Sequence, residues 1–114
     1  NAGEFQLISD NACAKYLFLG QAITANIKAI NFENINVTIS TNKSRNRGNT
    51  SNVLGSPLKA MIWLINELIE YELPIKKGML ITTGTCTNPI KFKKKDTIKA
   101  NFEGISKIEA NLNI

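Results

Sequence analysis

The chain has 114 residues, of which 43% are hydrophobic and 20% charged, with a formal net charge of +5. This length allows one hydrophobic core, and the composition excludes a disordered or fibrous protein. No apolar run approaches the roughly 18 residues that cross a bilayer, and no basic and apolar leader opens the sequence. We therefore expect a cytoplasmic protein without a membrane partner.

Several kinds of catalysis are excluded by residue types that the chain lacks. Histidine is absent, which excludes Ser–His and Cys–His catalysis and histidine-based zinc sites within these residues. Cys13 and Cys86 are far apart in the sequence and match no metal-ligand spacing. Two isolated thiols are compatible with a reducing compartment.

The positive charge is densest in one lysine cluster, which has two interpretations. Lysines occupy four of the positions 91–95, and such a cluster could neutralise nucleic-acid phosphates. However, Asp96 follows at once, and only Phe92 is present as an aromatic stacking platform. We therefore predict a solvated turn between two strands and no nucleic-acid partner.

The first half of the chain is predicted to form short strands and a polar loop. Residues 14–19 are an apolar run that suits either a buried strand or a helix, and periodicity does not decide between them. Residues 36–40 alternate between apolar and polar, which predicts a strand. Residues 41–53 are polar with Gly48 among them, which predicts a loop or hairpin.

One substantial helix is predicted at about residues 56–72. Ser56 is a suitable N-cap, and Pro57 suits the first helical position. The helix should end near Glu72, because Pro74 disfavours a helical residue before it. Trp63 widens the apolar arc, so we expect the helix to be covered on more than one side. Its apolar stripe recurs at steps of three and four residues and comprises Leu58, Met61, Ile62, Ile65, Leu68 and Ile69.

The remainder is predicted to consist of strands. Residues 79–83 are a short apolar run that ends at Gly84. Residues 98–102 and 108–114 alternate on either side of a turn at residues 103–104, so we expect them to be antiparallel neighbours. The fold class that follows is α+β, mostly β.

Motifs along nearly the whole chain carry a family resemblance. Residues 9–13 (SDNAC) are similar to an Asp-Asn-Ala-Ser motif, and residues 48–57 (GNTSNVLGSP) resemble a Gly-to-Leu-Gly-His-Pro pattern before a helix. Residues 73–85 resemble a Leu, turn, Gly, apolar strand and Thr-Gly-Ser run. Residues 95–97 and 102–106 are similar to Gly-Asp-Thr and Glu-Gly-(Leu/Ile)-Gly-Ser. In this order they resemble the 2-keto-4-pentenoate hydratase, 2-oxohepta-3-ene-1,7-dioate hydratase and 4-oxalocrotonate decarboxylase group of the fumarylacetoacetate hydrolase-like superfamily.

The sequence departs from the family motifs at three positions. Ser56 stands in place of the usual His, Cys13 in place of Ser, and Lys95 in place of Gly. Family members are also considerably longer. The chain lacks an initiator Met, and we expect residues 1–114 to be a single domain that forms the C-terminal portion of a longer catalytic domain.

The resemblance implies a fold and a reaction. The implied fold is a mixed β-roll or flattened barrel. The implied enzyme is a hydratase of aromatic-compound catabolism that adds water to 2-hydroxy-2,4-dienoate-type acids and gives 4-hydroxy-2-oxo acids. A divalent metal, Mg or Mn, would chelate the carboxylate and 2-oxo oxygen of the small 2-oxo acid and stabilise its enolate. The alternatives are a 2-oxo acid decarboxylase of the same family and an inactive structural fragment.

The resemblance also implies where the site residues lie. The family's metal ligands and proton-transfer residues fall upstream of this segment, so we assign no metal ligand and no catalytic residue here. We expect a homo-oligomer, as in the family.

Two segments are predicted to bind substrate. Asn11 and Cys13 match a segment near the substrate, but a turn and a small buried thiol explain them equally well. Thr83, Gly84 and Thr85 follow an apolar run, where glycine lets a ligand approach the backbone and the hydroxyls and N–H groups could bind a carboxylate. The alternative for these residues is a strand terminus.

Overall fold

Alternating apolar and polar residues build an antiparallel sheet at the centre of the fold. A computed structural model describes residues 3, 6, 14–23 and 26–111 of the chain. The sheet has the strand order β2-β1-β3-β4, and each neighbouring pair is antiparallel. Its strands are β1 (Asn36–Ser40), β2 (Arg45–Asn49), β3 (Thr97–Phe102) and β4 (Ser106–Asn111).

With an α-helix beside the sheet, the architecture confirms the predicted α+β class. The helix, α1, spans Pro57–Glu70, and short 3-10 helices span Ile27–Ala29 and Thr50–Asn52. The predicted roll or barrel stays a prediction. Among the described residues, no helix is both long enough and apolar enough to span a bilayer.

The strand register separates the sheet into an apolar and a polar face. Val37 pairs with Phe102, and Ala100 pairs with Ile108, so these side chains share one face because strand residues alternate in direction. The opposite face carries the residues between them. This polar face comprises Asn36, Thr38, Ser40, Arg45, Arg47, Asn49, Thr97, Lys99, Asn101, Lys107, Glu109 and Asn111.

Strand β2 lies in the segment for which the sequence predicts only a loop or hairpin. Its sequence, RNRGN, lacks the β-branched and aromatic residues that favour strands. The hairpin forms because the Thr41 side chain accepts hydrogen bonds from the backbone N–H groups of Lys43 and Ser44, at 3.2 and 3.1 Å. The Thr41 N–H also donates to the Ser44 carbonyl at 2.8 Å.

The predicted antiparallel pairing of β3 and β4 is confirmed. Ile98 lies opposite Ala110, and Phe102 lies opposite Ser106. The turn between the strands contains Gly104 with a φ of 73°, a backbone conformation that glycine adopts without steric cost. The part of the second strand predicted at residues 112–114 lies outside the described residues.

Helix α1 begins as predicted and ends slightly earlier. The Ser56 hydroxyl accepts from the Leu58 N–H at 3.3 Å, and Pro57 occupies the first turn. At the other end, the Tyr71 N–H donates to the Glu67 carbonyl at 3.0 Å. Glu72 then adopts a φ of 56°, and this left-handed residue ends the helix before the predicted limit.

The prediction that α1 is covered on more than one side is wrong for the described chain. Trp63 is 59% exposed and Ile69 is 65% exposed. Within the helix, only Ala60 is buried. The apolar stripe is present as predicted, but it is only partly covered: Met61, Ile65 and Leu68 are half-buried, whereas Leu58, Ile62 and Ile69 are exposed.

Two further strand predictions are wrong for related reasons. Residues 14–19 form neither a strand nor a helix, and all of their side chains are exposed. Residues 79–83 form no strand. An apolar run becomes a strand only when its backbone pairs with a neighbour, and the described residues provide no pairing strand for either segment.

The lysine cluster forms a tight turn, but it leads into one strand rather than joining two. The Lys93 N–H donates to the Asp96 carboxylate at 2.7 Å, and the Asp96 N–H donates to the Lys93 carbonyl at 3.1 Å. Strand β3 follows, whereas no strand precedes the turn in the described chain. Lys95 has a φ of 70°, so it adopts the left-handed conformation at the position where the resembled motif has glycine.

Replacing Lys95 by glycine should therefore stabilise the fold. We expect Lys95→Gly to raise the free energy of unfolding by about 0.5–1 kcal/mol, because glycine removes the left-handed strain and loses part of that gain to unfolded-state entropy. Urea denaturation followed by circular dichroism measures the change. Lys94→Gly is the matched control, since Lys94 has no positive φ and should show no gain.

Candidate functional site

A cavity of about 460 Å³ lies against the apolar face of the sheet. Phe102, Ile105 and Ile108 from β3, β4 and their connecting turn form one part of its wall. Residues 81–84 and Cys86 form another. The remaining lining residues are Gly20, Gln21, Ile23, Phe32, Ile35, Thr50, Pro57 and Ser106.

The structure places part of the predicted Thr-Gly-Thr segment at this cavity. Thr83 and Gly84 line it together with Thr82, whereas Thr85 does not line it. Thr83 is half-buried. Asn11 and Cys13 lie outside the described residues. Substrate binding by any of these residues stays a prediction.

The Thr-Gly segment is held in place through the residues that follow it. The Cys86 carbonyl accepts from the Asn49 N–H at 3.1 Å and from the Asn52 side-chain amide at 2.9 Å. The Asn46 side-chain amide donates to the Asn88 and Pro89 carbonyls at 3.0 and 3.1 Å. Residues 86–89 are therefore tied to the outer edge of β2, and they fix where Gly84 lies.

Two glycines allow close approach between chain segments at this site. A Cβ atom at Gly48 would overlap the Cys86 carbonyl oxygen and lie 3.0 Å from the Thr87 Cα. A Cβ at Gly84 would lie 3.1 Å from the Val53 Cγ1, and its φ of 127° also favours glycine. Gly48 is thus explained by close contact with a neighbouring segment, and Gly84 by close contact together with its positive φ.

Sequence reasoning missed most of the apolar wall of the cavity. Alternation in β3 and β4 identified an apolar face, but did not show that this face lines a cavity. The contribution of Gly20 is also new: a Cβ there would lie 2.9 Å from the Ile108 Cγ1. The sequence signal for it was glycine at the end of an apolar run, which suits close approach to a neighbouring segment.

The cavity is electrically neutral along its described wall. Its lining includes no Lys, Arg, Asp or Glu. Burial raises the pKa of the Cys86 thiol, so this group stays protonated at neutral pH. The polar atoms available to a ligand are the hydroxyls of Thr82, Thr83 and Ser106 and the amide of Gln21, together with neighbouring backbone groups.

The neutral wall also bears on metal binding. The described residues contain no group of three or more His, Cys, Asp or Glu side chains that could hold a metal ion. This part of the chain therefore does not fit the divalent metal that the family resemblance implies.

Comparison with protein families assigns nearly the whole chain. The family described as fumarylacetoacetate (FAA) hydrolase C-terminal matches residues 1–113. The chain belongs to this family.

Curated relatives carry hydratase names. A 2-keto-4-pentenoate hydratase from Paraburkholderia phymatum is 26% identical over 108 residues, which cover 94% of this chain and 41% of the relative. One from Burkholderia vietnamiensis is 25% identical and is covered over 40% of its length. A 2-oxo-hept-4-ene-1,7-dioate hydratase from Escherichia coli is 30% identical over 61 residues, 54% of this chain and 23% of the relative. The chain spans about two-fifths of the length of the first two relatives.

Because β2 and residues 86–89 are in close contact at Gly48, replacing this glycine should destabilise the fold. We expect Gly48→Ala to lower the free energy of unfolding by about 2 kcal/mol or more, because the added methyl forces apart two backbone segments joined by hydrogen bonds. Ser40→Thr adds one carbon on the polar face of β1 and should change stability by less than about 0.5 kcal/mol. Equal effects of the two variants in chemical denaturation would contradict the close packing of this segment.

Proposed function

We propose that the protein is a hydratase of 2-hydroxy-2,4-dienoate-type acids and that this chain supplies one wall of the substrate pocket. In the net reaction the oxygen of water bonds to C4 of the substrate. C3 and C5 each gain a proton while the enol oxygen loses one, which leaves a 4-hydroxy-2-oxo acid. Aromatic-compound catabolism in the cytoplasm is the setting that we propose with it.

One observation carries the proposal: the Thr83–Gly84 segment meets an apolar cavity in a chain of this family. Small-molecule sites are concave and mostly apolar, with a few polar groups that set orientation. The Thr83 hydroxyl can donate to a carboxylate or oxo oxygen, and the absence of a Cβ at Gly84 leaves its N–H accessible. The hydratase names of the relatives support the same reaction type.

The work that we assign to this chain is binding and orientation. The apolar side chains Phe102, Ile105 and Ile108 exclude water from one side of the substrate, and Thr83 orients an oxygen atom. Because the described residues do not fit a divalent metal, we assign no step of the reaction to a metal held by them.

Removing the Thr83 hydroxyl should lower the catalytic efficiency without unfolding the chain. We expect Thr83→Val in the full-length protein to lower kcat/KM by about tenfold, the size expected for one lost hydrogen bond to a substrate oxygen. The decrease of dienoate absorbance with time measures the rate. Valine keeps the shape of threonine, so the change should be confined to the hydrogen bond.

A matched variant separates this effect from a general effect on the sheet. Thr38 lies on the polar face of β1, away from the cavity that Thr83 lines, so Thr38→Val should stay within about twofold of the parent kcat/KM. If the full-length protein leaves dienoate absorbance unchanged, the proposed hydratase activity is wrong. If Thr83→Val is as active as the parent, the site assignment is wrong.

We also propose that the protein self-associates through the exposed apolar side of α1. Trp63 and Ile62 are 59% and 55% exposed, and contiguous apolar surface of this kind marks association sites. Trp63→Glu should lower the sedimenting mass of the full-length protein, with circular dichroism confirming the fold. Lys43→Glu, at an exposed lysine in the turn between β1 and β2, introduces the same residue outside the helix and should leave the mass unchanged; an unchanged mass for both variants would place the interface elsewhere.

A further inference from the structure

We infer that the cavity wall formed by β3 and β4 selects a substrate whose distal end is uncharged, and that Ile105 is a specificity-determining residue. This inference rests on the proposed function. It goes beyond that function because it chooses between dienoate-type acids that end in an alkyl group and those that end in a second carboxylate.

The first support is the chemistry of the wall. A carboxylate that leaves water is stable only beside a positive charge or several strong donors. The described lining offers no Lys or Arg, and the part of it that β3, β4 and their turn supply includes the apolar side chains Phe102, Ile105 and Ile108. An alkyl group gains from contact with these side chains, whereas a second carboxylate would lose its hydration there and find only a neutral donor, the Ser106 hydroxyl, on this wall.

The second support is the location of the positive charges on the sheet. Arg45, Arg47, Lys99 and Lys107 all lie on the polar face, where they line two other concavities. Since alternate strand residues point to opposite faces, the sheet itself separates these charges from the neutral cavity. The register that makes β3 and β4 amphipathic therefore also makes the cavity wall neutral.

Ile105 is the position where this selectivity can be changed. It lies in the turn between β3 and β4, is half-buried and lines the cavity. Its backbone N–H donates to the Phe102 carbonyl at 2.9 Å, so the backbone hydrogen bond remains when the side chain changes. A lysine here would place a flexible ammonium group at the cavity without interrupting a strand.

Binding and turnover by the full-length protein test the inference separately. The binding probes are 2-oxohexanoate and 2-oxohexanedioate, which have the same chain length and differ only in the distal end. Titration calorimetry gives Kd for each probe with the parent, with Ile105→Lys and with Asn101→Lys. Asn101 is the matched control, because it precedes Phe102 but lies on the polar face, so its replacement adds the same charge outside the cavity.

We expect the parent to bind 2-oxohexanoate at least about tenfold more tightly than 2-oxohexanedioate. Ile105→Lys should reduce this ratio by about tenfold by giving the second carboxylate a partner, while Asn101→Lys should leave it unchanged. Equal or tighter binding of the diacid by the parent, or no binding of either probe, overturns the inference. Should Ile105→Lys fail to fold, the ratio for the parent still decides.

Turnover of the corresponding 2-hydroxy-2,4-dienoates distinguishes the two proposals. If the parent hydrates the diacid as fast as the alkyl substrate, the hydratase stands and the selectivity is wrong. If the parent binds the probes with the expected ratio but hydrates neither dienoate, the proposed reaction is wrong and the selectivity of the wall stands.

Discussion

The candidate site depends on the close approach of residues 86–89 to the edge of β2. Gly48 permits it because it has no Cβ to collide with the Cys86 carbonyl, and that carbonyl then accepts from Asn49 and Asn52. The contact covers part of the open edge of β2. An uncovered edge strand would expose unpaired backbone N–H and C=O groups. The same contact anchors Thr83 and Gly84, which precede residues 86–89 in the chain. The hydrogen bonds of the Cys86 carbonyl therefore fix both the edge of the sheet and this side of the cavity.

Much apolar surface of the described residues is exposed, and it is concentrated in three segments. Residues 14–19 and 79–81 are exposed although most of their side chains are apolar, and so are Leu58, Ile62 and Ile69 of the apolar stripe of α1. Exposure of this much apolar surface to water is energetically unfavourable, and such surface usually marks a site of contact with other residues or proteins. We propose that further residues or a second copy of the chain cover this surface. Such cover is consistent with relatives of which this chain spans about two-fifths.

The parts of the fold that could be predicted from sequence are those whose signals are local. Ser56 and Pro57 specify the start of α1, and alternation specifies β3, β4 and their pairing. The prediction failed where the stabilising partner is distant in sequence. Strand β2 has a polar sequence and is held by pairing with β1 and by residues 86–89, whereas residues 79–83 have a strand-like sequence and lack a pairing strand among the described residues. The motif at Gly84 pointed to the cavity, but its apolar wall arises only when β3 and β4 pair.

A neutral wall has a physical consequence for how such a site can change. Charged groups act over several ångströms in a low-dielectric pocket, so moving one alters the pKa values of all its neighbours. Threonine hydroxyls and isoleucine side chains act only on atoms that they contact. If the proposed function holds, substitutions at Ile105 or Thr83 should therefore change which substrate is held, and in which orientation, while leaving the electrostatics of a reacting group elsewhere in the pocket unchanged. The proposed selection of substrate by the neutral face of the sheet, with the positive charges of its strands on the opposite face, would keep selectivity and charge chemistry independent of each other.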